Sequence, residues 1–530
     1  MLDFSIQADY AAGKAKRASF KISTMIKGRK GISVQSGIEL YKTLVRPHIE
    51  YAMPVWANMG DKDLDKLEQV QIQCLRRVTG ALTHSSSTAL EVVCGILPMR
   101  FRRRELCCRE YIRILAKDSE SELRKMMNSS TRVGLRFCPM EYIKTVSREL
   151  HRAIIAHDSN GIISSSPEDI IISENVVRSD ALFHNSLNSV CGGKLSFSDK
   201  DDVQEFIDKV KGDSFIVYTD GSVHSGVVGC GACSAILYPP MECGEIWCNS
   251  KAVGNMVSSV ECEIEGILLA IEMVITFVNN QSVIEPYTTA YICCDSDSAV
   301  EAMDKFDYSI PPHTLRKIHE LRRSLIATSI TVKLVKIPGH VGIEGNITAD
   351  HYAKDTVNRL STGEVSAPTV LSVQSAFRIA GDIARKYWQR LWDNEHTGRY
   401  TYNLTPVVNT KVLFPLDRDI GISYCRLLLH NSMLKNDCYR SGISDTPECV
   451  CGADRETSEH FLLHCNIHKK TRIELFEQLH EITASKEIYR SAITSEEMLL
   501  APVSEHISKK QNRFIKDLLF QFISSTRRAL

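Results

Sequence analysis

A chain of 530 residues exceeds the usual size of a single hydrophobic core, so two to four domains are expected. Its 43% apolar and 24% charged residues are those of an ordinary globular protein, and no run approaches the ~20 apolar residues of a membrane span; the longest, Gly266 to Val278, is broken by Glu272. The net charge is zero, yet residues 1–150 hold 26 Lys and Arg against 16 Asp and Glu, whereas residues 214–354 hold 9 against 16. The first segment suits phosphate binding, and the second suits a site that gathers carboxylates around metal ions.

Met1 to Phe20 has no apolar signal core, so no secretion signal is expected and the protein is placed inside the cell, in nucleus or cytoplasm. The 18 cysteines are accordingly thiols or metal ligands rather than a disulfide framework, with Cys107-Cys108 and Cys293-Cys294 as small buried apolar groups. Residues 1–150 form a helical, basic region. Leu64, Leu67, Val70, Cys74, Leu75 and Val78 make an apolar stripe that ends at Gly80. Basic residues cluster at Lys14, Lys16, Arg17, Lys21, Lys27, Arg29 and Lys30, and again at Arg100, Arg102, Arg103 and Arg104. They are read either as solvated helix faces or as a grip on nucleic acid. Residues 151–212 turn to Ser, Asn, Asp and Gly and are expected to be a linker.

Residues 213–358 alternate strand and helix patterns. Strands are expected at Phe215 to Thr219, Gly229 to Tyr238, Glu245 to Val253, Ala290 to Cys294 and Thr331 to Ile337, with helices over Val257 to Val278 and from Asn346. That is an α/β fold, a mixed five-stranded sheet flanked by helices, between helical N- and C-terminal regions; residues 370–530 are again helical. Asp220 ends an apolar strand before Gly221-Ser222, where a metal ligand and a hairpin turn are competing readings. Asp295 follows a second strand, and its alternative is a helix cap. Glu263 shares a helix face with Gly266 and Ala270, whose small size lets that helix lie close to the sheet, but Glu261 and Glu265 compete for its role. Pro338 to Asn346 is a Gly-rich loop carrying His340, with Asn346 as a helix cap and Asp350 in the first turns behind it.

The order of these motifs resembles the ribonuclease H family, most closely at Tyr218-Thr219-Asp220-Gly221-Ser222, Asp295-Ser296 and Pro338 to Asp350. The resemblance implies Asp220, Glu263, Asp295 and Asp350 as metal-binding carboxylates, Glu263 being preferred because Gly266 and Ala270 then fall where the family has small residues. It implies His340 as the catalytic loop histidine, substrate contacts at Gly221, Ser222 and Asn346, and an RNA/DNA hybrid as partner. Ile347 departs from the Glu usual in that motif, at a position that is not a ligand. Four converging carboxylates are physically consistent with two Mg²⁺ ions, with Mn²⁺ as a substitute, ~4 Å apart.

Residues 8–115, including Glu39-Leu40-Tyr41, Tyr51 to Trp56 and Gly95-Ile96-Leu97-Pro98, resemble the region after the polymerase palm in jockey- and R1-like non-LTR retrotransposons. The chain's one Asp-Asp pair, Asp201-Asp202, lies in the polar segment, so the reverse transcriptase palm is expected to be missing. Cys449, Cys451, His460 and Cys465 form a candidate zinc quartet, the competing reading being an apolar helix with an incidental His and Cys. The leading expectation is a metal-dependent endonuclease cutting the RNA strand of RNA/DNA hybrids. The rivals are a non-catalytic nucleic-acid-binding module domesticated from a retroelement and, less favoured, a transposase on the same fold.

Overall fold

The computed structural model describes residues 4–26, 31–116, 122–128, 142–148, 150, 191–224, 230–240, 245–254, 257–280, 289–305, 321, 324, 330–365, 373–483, 495–501, 509–528 and 530. The chain divides into two compact units, one of Cys108–Val133 and Lys144–Gly381, the other of Met1–Cys107, Gly134–Ile143 and Asp382–Leu530. Among the described residues no helix is long and apolar enough to cross a membrane.

The first unit carries a mixed sheet of six strands: β1 (Cys191–Ser196), β2 (Phe215–Val223), β3 (Gly231–Tyr238), β4 (Trp247–Gly254), β5 (Thr289–Cys294) and β6 (Thr331–Lys336), in the order β1-β6-β5-β2-β3-β4. Strands β2, β3 and β4 are antiparallel neighbours, while β5, β6 and β1 run parallel to β2 on its other side. Helices α1 (Lys200–Val210), α2 (Ser259–Asn280), α3 (Asp297–Lys305) and α4 (Glu344–Ser361) accompany them. Both faces are covered, which explains why β2 reads as a continuous apolar run. Phe215 and Val217 pack under α2 with Ile267 and Ala270. Ile216 and Tyr218 pack on the other side with Val203 and Ile207 of α1 and Ala349 of α4.

The sixth strand corrects the expected five, and it lies in what the composition marks as linker. Residues 151–190 fall outside the described residues, but 191–210 form β1 and α1. An edge strand needs only backbone partners, and Lys194, Leu195 and Ser196 find theirs opposite Leu334, Val335 and Lys336. In α1 the charged residues hide an apolar stripe of Val203, Phe206, Ile207 and Val210. Asp199 caps it by accepting from the Asp201 amide at 2.8 Å, so Asp201 and Asp202 occupy the first turn of a capped helix.

In the second unit the two helical ends of the chain, read from sequence as separate regions, share one core. Tyr41, Trp56 and Leu75 belong to the same buried cluster as Trp392, Tyr424 and Phe461. The expected stripe on Asp61–Thr79 is buried and ends at Gly80 as anticipated. Arg418 donates to the carbonyls of Ile32, Arg77 and Val78 and so ties the C-terminal helices to the N-terminal ones. An amphipathic stripe shows which face is buried but not which partner buries it, so this union is invisible to periodicity.

Candidate active site

The parallel register of β2 and β5 pairs Thr219 with Cys294, so the next residues, Asp220 and Asp295, emerge side by side. They stand where the neighbours of β2 switch from antiparallel β3 to parallel β5, the kind of junction at which open α/β sheets place ligands. β2 continues to Val223, so Gly221 is not in a hairpin turn. It serves a close approach: a Cβ there would lie 2.5 Å from the Glu263 amide nitrogen. The bare backbone lets the first turns of α2 rest on the strand, and the nearby Gly221 amide favours the charged forms of Asp220 and Glu263.

The three glutamates in the first turns of α2 separate by position. Glu261 closes a capping box, accepting from Ser258 N at 2.7 Å and Ser258 Oγ at 2.9 Å, and it also takes Arg378 at 2.6 Å. Glu265 pairs with Lys251 at 2.9 Å. Glu263 alone joins Asp220 and Asp295, the three offering ligand atoms that all lie within 4.8 Å of one another. Burial first, then Asp220 and Asp295, pushes Glu263 up to about 9; burial first, then Asp295 and Asp350, pushes Asp220 up to about 7. Among the described residues the side-chain donors that reach this trio are neutral: the Cys294 thiol at 3.7 Å from Glu263 Oε2 and the Asn346 amide at 3.1 Å from Asp295 Oδ2. A buried, mutually repelling set of hard oxygen donors fits a divalent cation.

Asp350 stands outside that trio. It is close enough to raise Asp220, and it holds Lys354 at 2.7 Å. The helix cap expected of Asn346 is not formed: α4 begins at Glu344 after Ile343, and Asn346, buried in its first turn, turns its amide to Asp295 instead. Asp295 is not a cap either, because Ser296 Oγ accepts from Ala299 N at 3.3 Å and takes that role for α3. His340 is exposed on the loop between β6 and α4 with φ 58°, and a Cβ on neighbouring Gly339 would lie 3.0 Å from Asp295 Oδ2, so this loop passes close to Asp295. Two contributors escaped the sequence reading, the thiol of Cys294 and the amide of Asn346 as an Asp295 partner. The strand alternation that sends Cys293 and Cys294 to opposite faces was the available signal for the first.

In the helical unit, Cys449, Cys451, His460 and Cys465 also converge, with ligand atoms within 4.8 Å of one another. Cys449 Sγ is 3.8 Å from Cys465 Sγ, and Cys451 Sγ is 3.3 Å from His460 Nε2. A tetrahedral ion with metal–sulfur bonds of about 2.3 Å would set thiolates about 3.8 Å apart. The segment His460–His464 is a helical turn that buries Phe461 and Leu462 in the core, which leaves His460 on the side of the thiols.

The arginine cluster read as a phosphate grip is consumed internally. Arg100 binds Glu68, Arg102 binds Glu50 and Glu105, and Arg103 donates to the carbonyls of Ala57 and Met59. On Ser5–Ile26, by contrast, Lys16, Arg17 and Lys21 are exposed, and Lys14 lies over the ring of Tyr10. Lys27, Arg29 and Lys30 fall outside the described residues.

No protein-family model matches the chain. A curated relative, the retrovirus-related Pol polyprotein from type-1 retrotransposable element R1 of Bradysia coprophila, is 28% identical over 88 residues. That stretch is 16% of this chain and 8% of the relative, so the chain spans under a tenth of the length of the protein it matches. Among solved structures, a ribonuclease H1 in complex with an RNA/DNA hybrid is similar at 18% identity and TM-score 0.23, over 28% of this chain and 99% of that one. The N-terminal ribonuclease H domain of a Mycobacterium tuberculosis protein is similar at 17% identity and TM-score 0.23, over 29% and 99%. The protease-reverse transcriptase of prototype foamy virus is similar at 18% identity and TM-score 0.21, over 27% and 20%. The chain is thus similar over a short stretch to a retrotransposon Pol polyprotein, and the unit that carries the mixed sheet and its carboxylates is similar to solved ribonuclease H structures.

Proposed function

We propose that this protein is a metal-dependent endonuclease that hydrolyses the RNA strand of RNA/DNA hybrids. The observation that carries this reading is the convergence of Asp220, Glu263 and Asp295 at the junction of β2 and β5, with neutral donors around them. Mg²⁺ or Mn²⁺ held there would neutralise phosphate charge and activate water for hydrolysis. Asp220, Glu263 and Asp295 would hold the cations, with Asp350, here paired with Lys354, as a fourth carboxylate. Asn346 keeps Asp295 turned toward its neighbours. His340, exposed on the loop above, moves a proton between the reacting phosphate and solvent. Ser222, two residues beyond Asp220 on β2, would touch the hybrid, with RNA selected through its 2′-hydroxyls.

Incubation of the purified protein with a strand-labelled hybrid tests the reading. Cleavage of the RNA strand that needs Mg²⁺ and spares a DNA duplex is the expected result. Hybrid binding without cleavage at any Mg²⁺ or Mn²⁺ concentration would leave the non-catalytic binding module instead.

The exposed basic face of Ser5–Ile26 is proposed as a phosphate contact. Replacing Lys14, Arg17 and Lys21 together by Gln should weaken hybrid binding and lower the slope of log affinity against log salt by about 2 to 3. Replacing Arg100 should leave that slope unchanged, because its charge is already matched by Glu68. Fluorescence anisotropy across a salt series reads both.

We also propose that Cys449, Cys451, His460 and Cys465 hold one structural Zn²⁺. Thiolate and imidazole donors suit zinc and the carboxylate site does not, so the two sites take different metals.

A further inference from the structure

Cys293 and Cys294 end β5 as consecutive thiols, and both side chains are fully buried, 0% exposed. Strand alternation separates them. Cys293 packs among Tyr218, Ile236 and Val335, whereas Cys294 faces α2. There its Sγ lies 3.7 Å from Glu263 Oε2 and accepts from the Ser296 amide at 3.4 Å. The amide of Ser296 thus ties the thiol to the turn that carries Asp295. Glu263 reaches the carboxylate cluster from a helix, while Asp220 and Asp295 come from strands. A glutamate has one more rotatable bond than an aspartate, so it needs more help to hold one orientation. Among the described residues the side chain that donates to it is this thiol.

We propose that Cys294 is a positioning residue for the nuclease site: its S–H donates to Glu263 Oε2 and holds that carboxylate toward Asp220 and Asp295, ready for a divalent cation. The inference rests on the metal-site reading above and adds to it a residue that touches neither cation nor substrate. A thiol is a weak donor, so it can orient a carboxylate without competing strongly with a cation for its lone pairs. Partners of this kind behind metal ligands typically matter by about 10- to 100-fold in metal affinity.

The test is Mg²⁺ binding to the full chain by titration calorimetry without nucleic acid, run beside the Mg²⁺ dependence of hybrid cleavage. Cys294→Ala should weaken Mg²⁺ binding about tenfold and raise the Mg²⁺ concentration for half-maximal cleavage by the same factor, with the rate at saturating Mg²⁺ changed less than about threefold. Cys294→Ser, which keeps a donor on a shorter bond, should recover part of the affinity. Cys293→Ala, an equally buried deletion on the opposite face, should leave Mg²⁺ affinity unchanged even where it lowers the thermal midpoint. In a Glu263→Gln background, Cys294→Ala should add no further loss, because the thiol acts through that carboxylate. Wild-type Mg²⁺ affinity in Cys294→Ala, an equal loss in Cys293→Ala, or full additivity with Glu263→Gln would overturn the proposal while leaving the metal site standing. A wild-type protein that binds no Mg²⁺ and cuts no hybrid would overturn both.

Discussion

Asp220→Asn should reduce hybrid cleavage by more than about a thousandfold, equivalent to ~4 kcal/mol at the barrier. The substitution keeps the shape of the side chain and removes one anionic donor from a site where three carboxylates share a few ångströms. Without that charge, the cations lose both a ligand and part of the field that holds them. Glu263→Gln should be equally damaging. Its neighbours supply the internal control: Glu261→Gln disturbs the cap of α2 and the Arg378 pair, costing about 1 kcal/mol in stability with cleavage retained, and Glu265→Gln removes a pairing with Lys251. His340→Ala belongs to a different class. A proton-moving group on an exposed loop should slow turnover about a hundredfold and leave Mg²⁺ affinity in place. Essential Glu261 or Glu265 with dispensable Glu263 would show that the helix face had been misassigned, and joint loss of activity and Mg²⁺ binding in His340→Ala would make the histidine a ligand.

The second large effect is expected at the thiol quartet. Purified without chelators, the protein should carry close to one Zn²⁺ per chain, and Cys449→Ser with Cys451→Ser should remove it. Structural zinc sites contribute on the order of 10 kcal/mol to the folding of small domains, so the loss should be felt well beyond the four ligands. His460–His464 also seats Phe461 and Leu462 in the core shared by both ends of the chain. Freed of metal, this turn should loosen first, visible as faster amide exchange over about residues 449–468. Burial now holds the Cys449 thiol up at about 12, and thiolate ligation must overcome that, so metal content should fall as pH drops. A zinc chelator should therefore destabilise the helical unit while Mg²⁺-dependent cleavage survives in the short term, since the other metal would be held by hard carboxylates. Metal analysis that finds no zinc, or stoichiometric zinc in the double variant, would remove the quartet from consideration.

Much of the unit that carries the mixed sheet was legible in residue order alone. Asp220 and Asp295 are readable because apolar runs mark the strands and an acid at the end of such a run is conspicuous, although β2 itself continues past Asp220 to Val223. The small face of Gly266 likewise announced a close helix, and a Cβ there would indeed sit 3.3 Å from the Asp220 carbonyl. Cys449, Cys451, His460 and Cys465 were legible because soft ligands at short spacing are rare without cause. Local pattern could not say which of Glu261, Glu263 and Glu265 faces the site, because their side chains diverge only once Ser258, Arg378 and Lys251 have taken the other two. It also misjudged Gly221, where the constraint is a helix backbone 40 residues later in the chain, and Asn346, whose partner Asp295 is brought close only by the parallel pairing of β5 and β6. The edge strand β1, the shared core of the two helical ends and the internal pairing of Arg100 and Arg102 were hidden for the same reason. Periodicity and composition report whether a residue is buried or charged, whereas partners distant in sequence are chosen by packing and register, which exist only after the chain has folded.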